Sequence, residues 1–320
     1  MKIKRWLGRT SLVLGMLLVG RAVQAGDPGT TGAVELKIPV GPRAIAMGGA
    51  FGAVADDANA IYWNPAGLRQ LGGVHLTAQY TNFIDTIKYN YIAAAMPMSG
   101  GKYALGLAVK MLSTGSTAEI NALGNDTGAS ISENYMDVNL AGAFKINYNI
   151  DFGVTVKYIS KSLKSSNSQS SSTFAGDLGL LYHTPVKHLV AALVFQNVGP
   201  SLKFNDAADH LPFNVKVGTA YKLFNNNFTV AFDMNFPNDN KPAASLGGEY
   251  WYKDRLVGRF GYQYQGALDQ NDLGVGGMAG LYMGAGLKFK AMGTTLGLDY
   301  AWSTSGFLGT VNRFALNVYI

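Results

Sequence analysis

The sequence predicts an all-β chain, a 14-stranded antiparallel transmembrane β-barrel preceded by a short segment that is not strand. Three observations predict it. From Val74 onward, apolar and polar residues alternate with period two, the strand signature. The connections between the alternating stretches are short on one side and long on the other, as in barrels that cross an outer membrane. The composition holds 40 Gly, 17 Tyr and 16 Phe beside only 14% charged residues, which suits many strands and turns.

The chain opens on a leader. Lys2, Lys4, Arg5 and Arg9 form a basic start, "SLVLGMLLVG" is a short apolar core, and "VQA" closes on small residues. That pattern is a Sec-type signal peptide, residues 1–25, cut after Ala25. Its apolar run is too short to span a bilayer as a helix. The full chain has a formal net charge of +6, but the leader, counting Arg21, holds five of the 26 basic residues and no acid. The rest is nearly neutral, which removes the electrostatic basis for a nucleic-acid partner. No cysteine is present, so an exported chain must fold without disulfides, Cys-held metals or thiol catalysis.

Residues 26–72 do not alternate. In "DDANAIYWNPAGL", Asp56 or Asp57 can cap a short helix through "ANAIYW". Asn64 caps a second turn, with Pro65 at its first helical position, where the missing N–H costs nothing. Gly72 and Gly73 then release the chain into the first strand.

The barrel occupies residues 73–320. Fourteen alternating segments lie near 73–82, 86–97, 102–112, 134–146, 150–162, 172–184, 188–197, 212–223, 226–235, 243–252, 255–265, 276–289, 293–303 and 310–320. In "KYALGLAVKM", Tyr103, Leu105, Leu107, Val109 and Met111 share one face, and Lys102, Ala104, Gly106, Ala108 and Lys110 the other. The short links are "SGGK", "NYNID", "TPVKH", "FNNN", "YKDR" and "KAMG". The long loops are 113–133, the stretch "KSLKSSNSQSSS", 198–211 and 265–275. Aromatics such as Tyr80, Tyr103, Tyr221, Tyr250 and Trp302 stand on the apolar face near strand ends. The opposite face collects Lys88, Asp137, Lys157, Asp177, Lys216, Asp233, Glu249, Arg259 and Asp299, which are expected to face the lumen. A soluble barrel would not bury that second face. The terminal strand "RFALNVYI" alternates as strands received by a barrel-assembly machinery do, although Ile320 stands where an aromatic is usual.

The stretch "GPRAIAMGGAFGAVADDANAIYWNPAGL" resembles the N-terminal signature of the FadL-like outer-membrane proteins, within them the PorV/PorQ branch. The resemblance implies that residues 26–72 form a hatch inside the barrel, with Asn64, Pro65 and Ala66 in its motif. It implies the cell outer membrane of a diderm bacterium, contact with outer-membrane lipid, and one of two roles. One is passive transport of hydrophobic small molecules past a moving hatch. The other is an accessory of type IX protein secretion that binds cargo or translocon.

Chemistry is less well supported. An outer-membrane hydrolase needs a nucleophile beside a histidine and an orienting group. His75, His183, His188 and His210 stand in no such motif, and no spacing suggests a metal site. The expectation is therefore no catalytic, cofactor-binding or metal-binding residue, and no cofactor. "GVGGMAG" at 274–280 lacks the strand-to-helix setting of a phosphate loop.

Overall fold

A computed structural model describes residues 29–83, 86–204, 207–265, 280–291, 293–304 and 309–320. The leader, residues 266–279 with most of "GVGGMAG", and the remaining gaps lie outside the described residues.

Among the described residues seventeen strands follow one another: β1 (His75–Asn82), β2 (Lys88–Met98), β3 (Tyr103–Ser113), β4 (Thr117–Ile120), β5 (Asp126–Asn147), β6 (Ile150–Lys164), β7 (Gln169–His183), β8 (Leu189–Val198), β9 (Leu202–Phe204), β10 (Ala207–Asp209), β11 (Asn214–Leu223), β12 (Phe228–Pro237), β13 (Ala243–Tyr252), β14 (Leu256–Gln265), β15 (Leu281–Ala291), β16 (Thr294–Thr304) and β17 (Thr310–Tyr319). Fourteen of them close into an antiparallel barrel, because β3 pairs with β5 and β17 pairs back onto β1. At the seam, His75 stands opposite Tyr319, and Val74 and Ile320 exchange both backbone hydrogen bonds.

The other three strands decorate the long-loop end. β4 pairs with the outer part of β5, and β9 with β10. This corrects three loop expectations, since 198–211 carries the short hairpin β9–β10. Residues 113–133 are largely a strand hairpin, because "DTGASISE" continues β5 past the barrel and gains a partner in β4. "KSLKSSNSQSSS" is mostly the paired ends of β6 and β7, with Lys164 and Gln169 bounding a four-residue turn at 165–168.

The faces sort by parity. Leu107, Leu140, Phe174, Phe260 and Phe314 are all more than half exposed on the outside. Such an apolar belt would aggregate in water and is satisfied by lipid. Inside, Ala104, Ala108, Ala141 and Ala143 are buried. Lys88 departs from the expected face: in β2 the inward positions are Tyr89 and Tyr91, so Lys88 points outward at the strand's end.

What buries the inner face is the N-terminal segment. It contains a 3-10 turn at Val34–Lys37, helix α1 (Pro42–Ala46), helix α2 (Ala60–Trp63) and a 3-10 turn at Pro65–Gln70. Leu36, Val40, Ala44, Met47, Phe51, Ile61 and Leu68 are almost wholly buried and share one apolar cluster with wall residues such as Tyr89, Ala104 and Tyr135. The segment runs from one mouth to the other. Gly32 N–H donates to His210 O, and Thr31 bonds Asp239, both at the long-loop end. At the short-turn end, Arg69 lies 3.6 Å from Asp151 and Gly73 lies against Ile320.

Candidate functional site: the plugged lumen

Asn64 is fully buried and does several jobs at once. Its extended backbone starts the turn at Pro65, and its Oδ1 accepts from Ala66 N–H at 3.1 Å, the expected cap. Its Nδ2 donates to Gly52 O at 2.8 Å within the segment and to Leu180 O of β7 at 3.3 Å. Pro65 and Ala66 are buried beside it. The preceding helix is not capped by Asp56 or Asp57 as expected: Asn59 stands at its N-cap without a side-chain cap bond, and Asp57 instead closes the turn before it, its Oδ1 accepting from Asn59 N–H at 2.8 Å.

The wall is shaped to admit this backbone. A Cβ on Gly153 would collide with Pro65 and Ala66, one on Gly179 with the Asn64 side chain, and one on Gly261 with Met47 and Gly48. Those glycines occupy inward positions on β6, β7 and β14. The wall also supplies partners for backbone groups that no regular element satisfies. Gln79 accepts from Gly41 N–H at 2.6 Å, Thr155 donates to Ile61 O at 3.0 Å, and Gln196 donates to Tyr62 O at 2.9 Å.

Apart from Lys88, the charged residues singled out from the sequence lie in this lumen. Lys157, Asp177, Lys216, Asp233, Glu249 and Arg259 are each at least 95% buried, and the Asp299 side chain is 10% exposed. They form three groups. Lys157 pairs with Asp177 at 2.8 Å and donates to Asn197 Oδ1 at 2.7 Å. Asp233 accepts from Phe51 N–H and Gly52 N–H at 3.0 and 2.8 Å, so a wall carboxylate holds plug backbone. Lys216 stacks its ammonium over the Trp63 ring at 4.2 Å. Glu249 sits between Arg259, at 2.7 Å, and Arg43 of the plug, while Arg259 also reaches Asp299 at 2.5 Å.

Two participants, Arg43 and Lys110, are missing from the lumen charges expected from the sequence. Arg43 grips Glu249 and also reaches Asp56 at 2.6 Å and Asp57 at 3.1 Å. Burial alone would lower the guanidinium's pKa, but Asp56 and Glu249 hold it well above the ordinary value. Burial would likewise raise Asp56, yet Arg43 and then Lys222 hold its carboxyl below the usual range. Lys110, the second, pairs with Asp137 at 3.4 Å across β3 and β5. The signal for Arg43 was a lone cation in a run of small apolar residues, which a buried site tolerates only with carboxylates nearby.

Two cavities flank the plug and share no lining residue. One of about 330 Å³ at the long-loop end touches Trp63, Lys216, Asp239 and Arg313. One of about 160 Å³ at the short-turn end touches Arg43, His75, Lys222 and Lys288. Among the described residues no group of His, Cys, Asp and Glu could hold a metal ion.

A family model described as type IX secretion system membrane protein PorP/SprF matches residues 58–318. The fold is that of solved outer-membrane channels. The Ralstonia pickettii toluene transporter TbuX is 15% identical, with 88% of this chain and 97% of that one covered at a TM-score of 0.62. The Pseudomonas putida toluene transporter TodX is 14% identical, covering 92% and 98% at 0.59. A Pseudomonas aeruginosa FadL homologue is 13% identical, covering 93% and 99% at 0.56. The FadL-like architecture expected from the N-terminal signature is thereby borne out. No curated relative matches the sequence.

Proposed function

The chain belongs to the PorP/SprF family of type IX secretion system membrane proteins, and from that premise we propose that it acts as a plugged outer-membrane partner of the secretion machinery. In this role it presents its mouths to other proteins while the bilayer stays sealed. Residues 26–72 serve as the hatch, with Asn64, Pro65 and Ala66 as its motif, and the lumen charges anchor it. The leader brings the chain to export, and β17 presents the terminal strand to the barrel-assembly machinery.

The observation that carries this reading is the Arg43 junction. A buried cation of the plug is held by a wall carboxylate that is itself paired with Arg259. Breaking such a junction leaves uncompensated buried charge, at a cost of about 3–5 kcal/mol. A plug fixed in that way suits a sealed scaffold better than a hatch that moves for each apolar solute.

Deleting the gene in its host and following a type IX cargo tests the reading. Cargo should accumulate in the periplasm and return to the surface on complementation, with uptake of labelled toluene unchanged. Normal cargo export together with lost toluene uptake would overturn it in favour of small-molecule transport.

A further inference from the structure

The chamber at the long-loop end has unused hydrogen-bonding groups of both signs. Arg313 is 4% exposed, and its Nη1 donates to Ser303 Oγ at 2.7 Å while its Nε has no partner. Lys216 is 3% exposed and has Trp63 as its ring partner. Arg313 belongs to no ion pair among the described residues, and Lys216 has none within 4.0 Å, although the Asp233 and Asp177 carboxylates act on it from further off. In the same lining, Asn214 Oδ1 and Asp239 Oδ1 are buried acceptors without a donor. Asp239 already has its charge met by Lys37 at 2.7 Å, so its free oxygen calls for a neutral donor.

Groups of this kind are costly unless water or a ligand satisfies them, and a ligand that displaces the water must replace its hydrogen bonds. An apolar solute would satisfy none of them. A simple anion would meet the cations and leave the acceptors. A neutral polyol would do the reverse. What meets both is a molecule with a carboxylate and several hydroxyls, and the volume of about 330 Å³ suits one acidic sugar. The rings of Trp63, Tyr62 and Tyr282 supply the apolar walls against which a sugar face can lie.

We propose that this chamber is a binding site for a small hydroxylated carboxylate of the acidic-monosaccharide class. The site opens on the side of the long loops and is built jointly by the plug and the wall. It is separate from the proposed role in secretion, and its test does not depend on that role.

Calorimetric titration of the purified full-length barrel in detergent decides it, with glucuronate, galacturonate and gluconate as probes. Glucose supplies hydroxyls without charge, and butyrate supplies charge without hydroxyls. At least one acidic sugar should bind with a one-to-one endpoint, and glucose and butyrate should each bind about tenfold more weakly or worse. Arg313→Gln and Asn214→Leu should each weaken the acidic sugar by about tenfold. Should either variant lose heat-modifiable migration, Lys216→Met, which should weaken binding likewise, and the probe comparison on the unaltered protein still separate the outcomes. Equal binding of charged and neutral probes, affinity unchanged by the variants, or no binding by any of the three acidic probes would overturn the site.

Discussion

Arg43 holds Glu249 with two parallel contacts, Nε to Oε2 at 2.8 Å and Nη2 to Oε1 at 2.9 Å, a fork that ties plug to wall at one point. The bidentate geometry needs a guanidinium, since a lysine offers a single ammonium. Arg43→Met should therefore cost about 3–5 kcal/mol of plug attachment. Arg43→Lys should recover only part of it. Limited proteolysis reads the outcome, with cleavage confined to residues 29–72 while the barrel still shows heat-modifiable migration. An uncleaved Arg43→Met plug would show that the junction does not anchor it.

The same junction sets a pH dependence. Asp56 is held below its ordinary value of 3.8 by Arg43 and Lys222, with Glu249 opposing. A depressed carboxyl contributes stability that is fully present above the unfolded value and is lost as pH falls through the folded one. Arg43 is raised, so its contribution is complete throughout the acid and neutral range. The Asp56 contribution to plug protection should thus stay flat from neutral pH to about 5 and decline below about 4. Asp56→Asn should lower the plateau and flatten the decline. A midpoint near neutrality in the protease titration would exclude Asp56 as its source.

Two glycines on β14 give a paired test of the lumen. Gly261 faces inward against Met47 and Gly48, whereas a Cβ at Gly258 meets nothing within 4 Å. Gly261→Val should displace the plug and cost more than the roughly 1–3 kcal/mol of ordinary overpacking, because backbone is what it strikes. Gly258→Val should be neutral or slightly favourable in a strand. Planar-bilayer recordings would show raised conductance for the first variant alone. Equal currents would mean that the plug tolerates the intrusion.

Leu107 tests the outer face. It is 51% exposed on the lipid side of β3, and Leu107→Arg at mid-membrane should cost about 2–4 kcal/mol in a folding titration. Leu107→Phe should be nearly silent. Its neighbour Ala108 points into a packed interior, 1% exposed, so an arginine there is expected to be disruptive too, although for lack of room. A silent Leu107→Arg would mean that β3 is turned the other way.

The strands were legible because period two survives wherever one face meets lipid and the other a packed lumen. It weakened where both faces meet water: "DTGASISE" reads as loop, and only its pairing with β4 makes it strand. Lys88 was misplaced because it ends a strand, where lipid no longer enforces parity. The Asn64 cap could be read because a cap is local. The Asp233 bonds to Phe51 and Gly52 could not, since they join positions that only barrel closure brings together. The inward glycines were legible as residues but not as sockets, because the object they receive lies far away in sequence.

The N-terminal segment runs as a rod through a ring, from Gly32 beside His210 to Gly73 beside Ile320. A ring that closes first can accept the rod only by threading a loose end through a lumen already lined with buried charge. A rod present first can act as a mandrel, with β13 clamped through Glu249, β12 through Asp233 and β7 through Leu180 before β17 finds β1. The order along the chain suits the mandrel, because residues 29–72 precede β1. With the rod first, the last step of assembly is a seam drawn shut around something already in place, and a misfit inside would be felt where β17 meets β1.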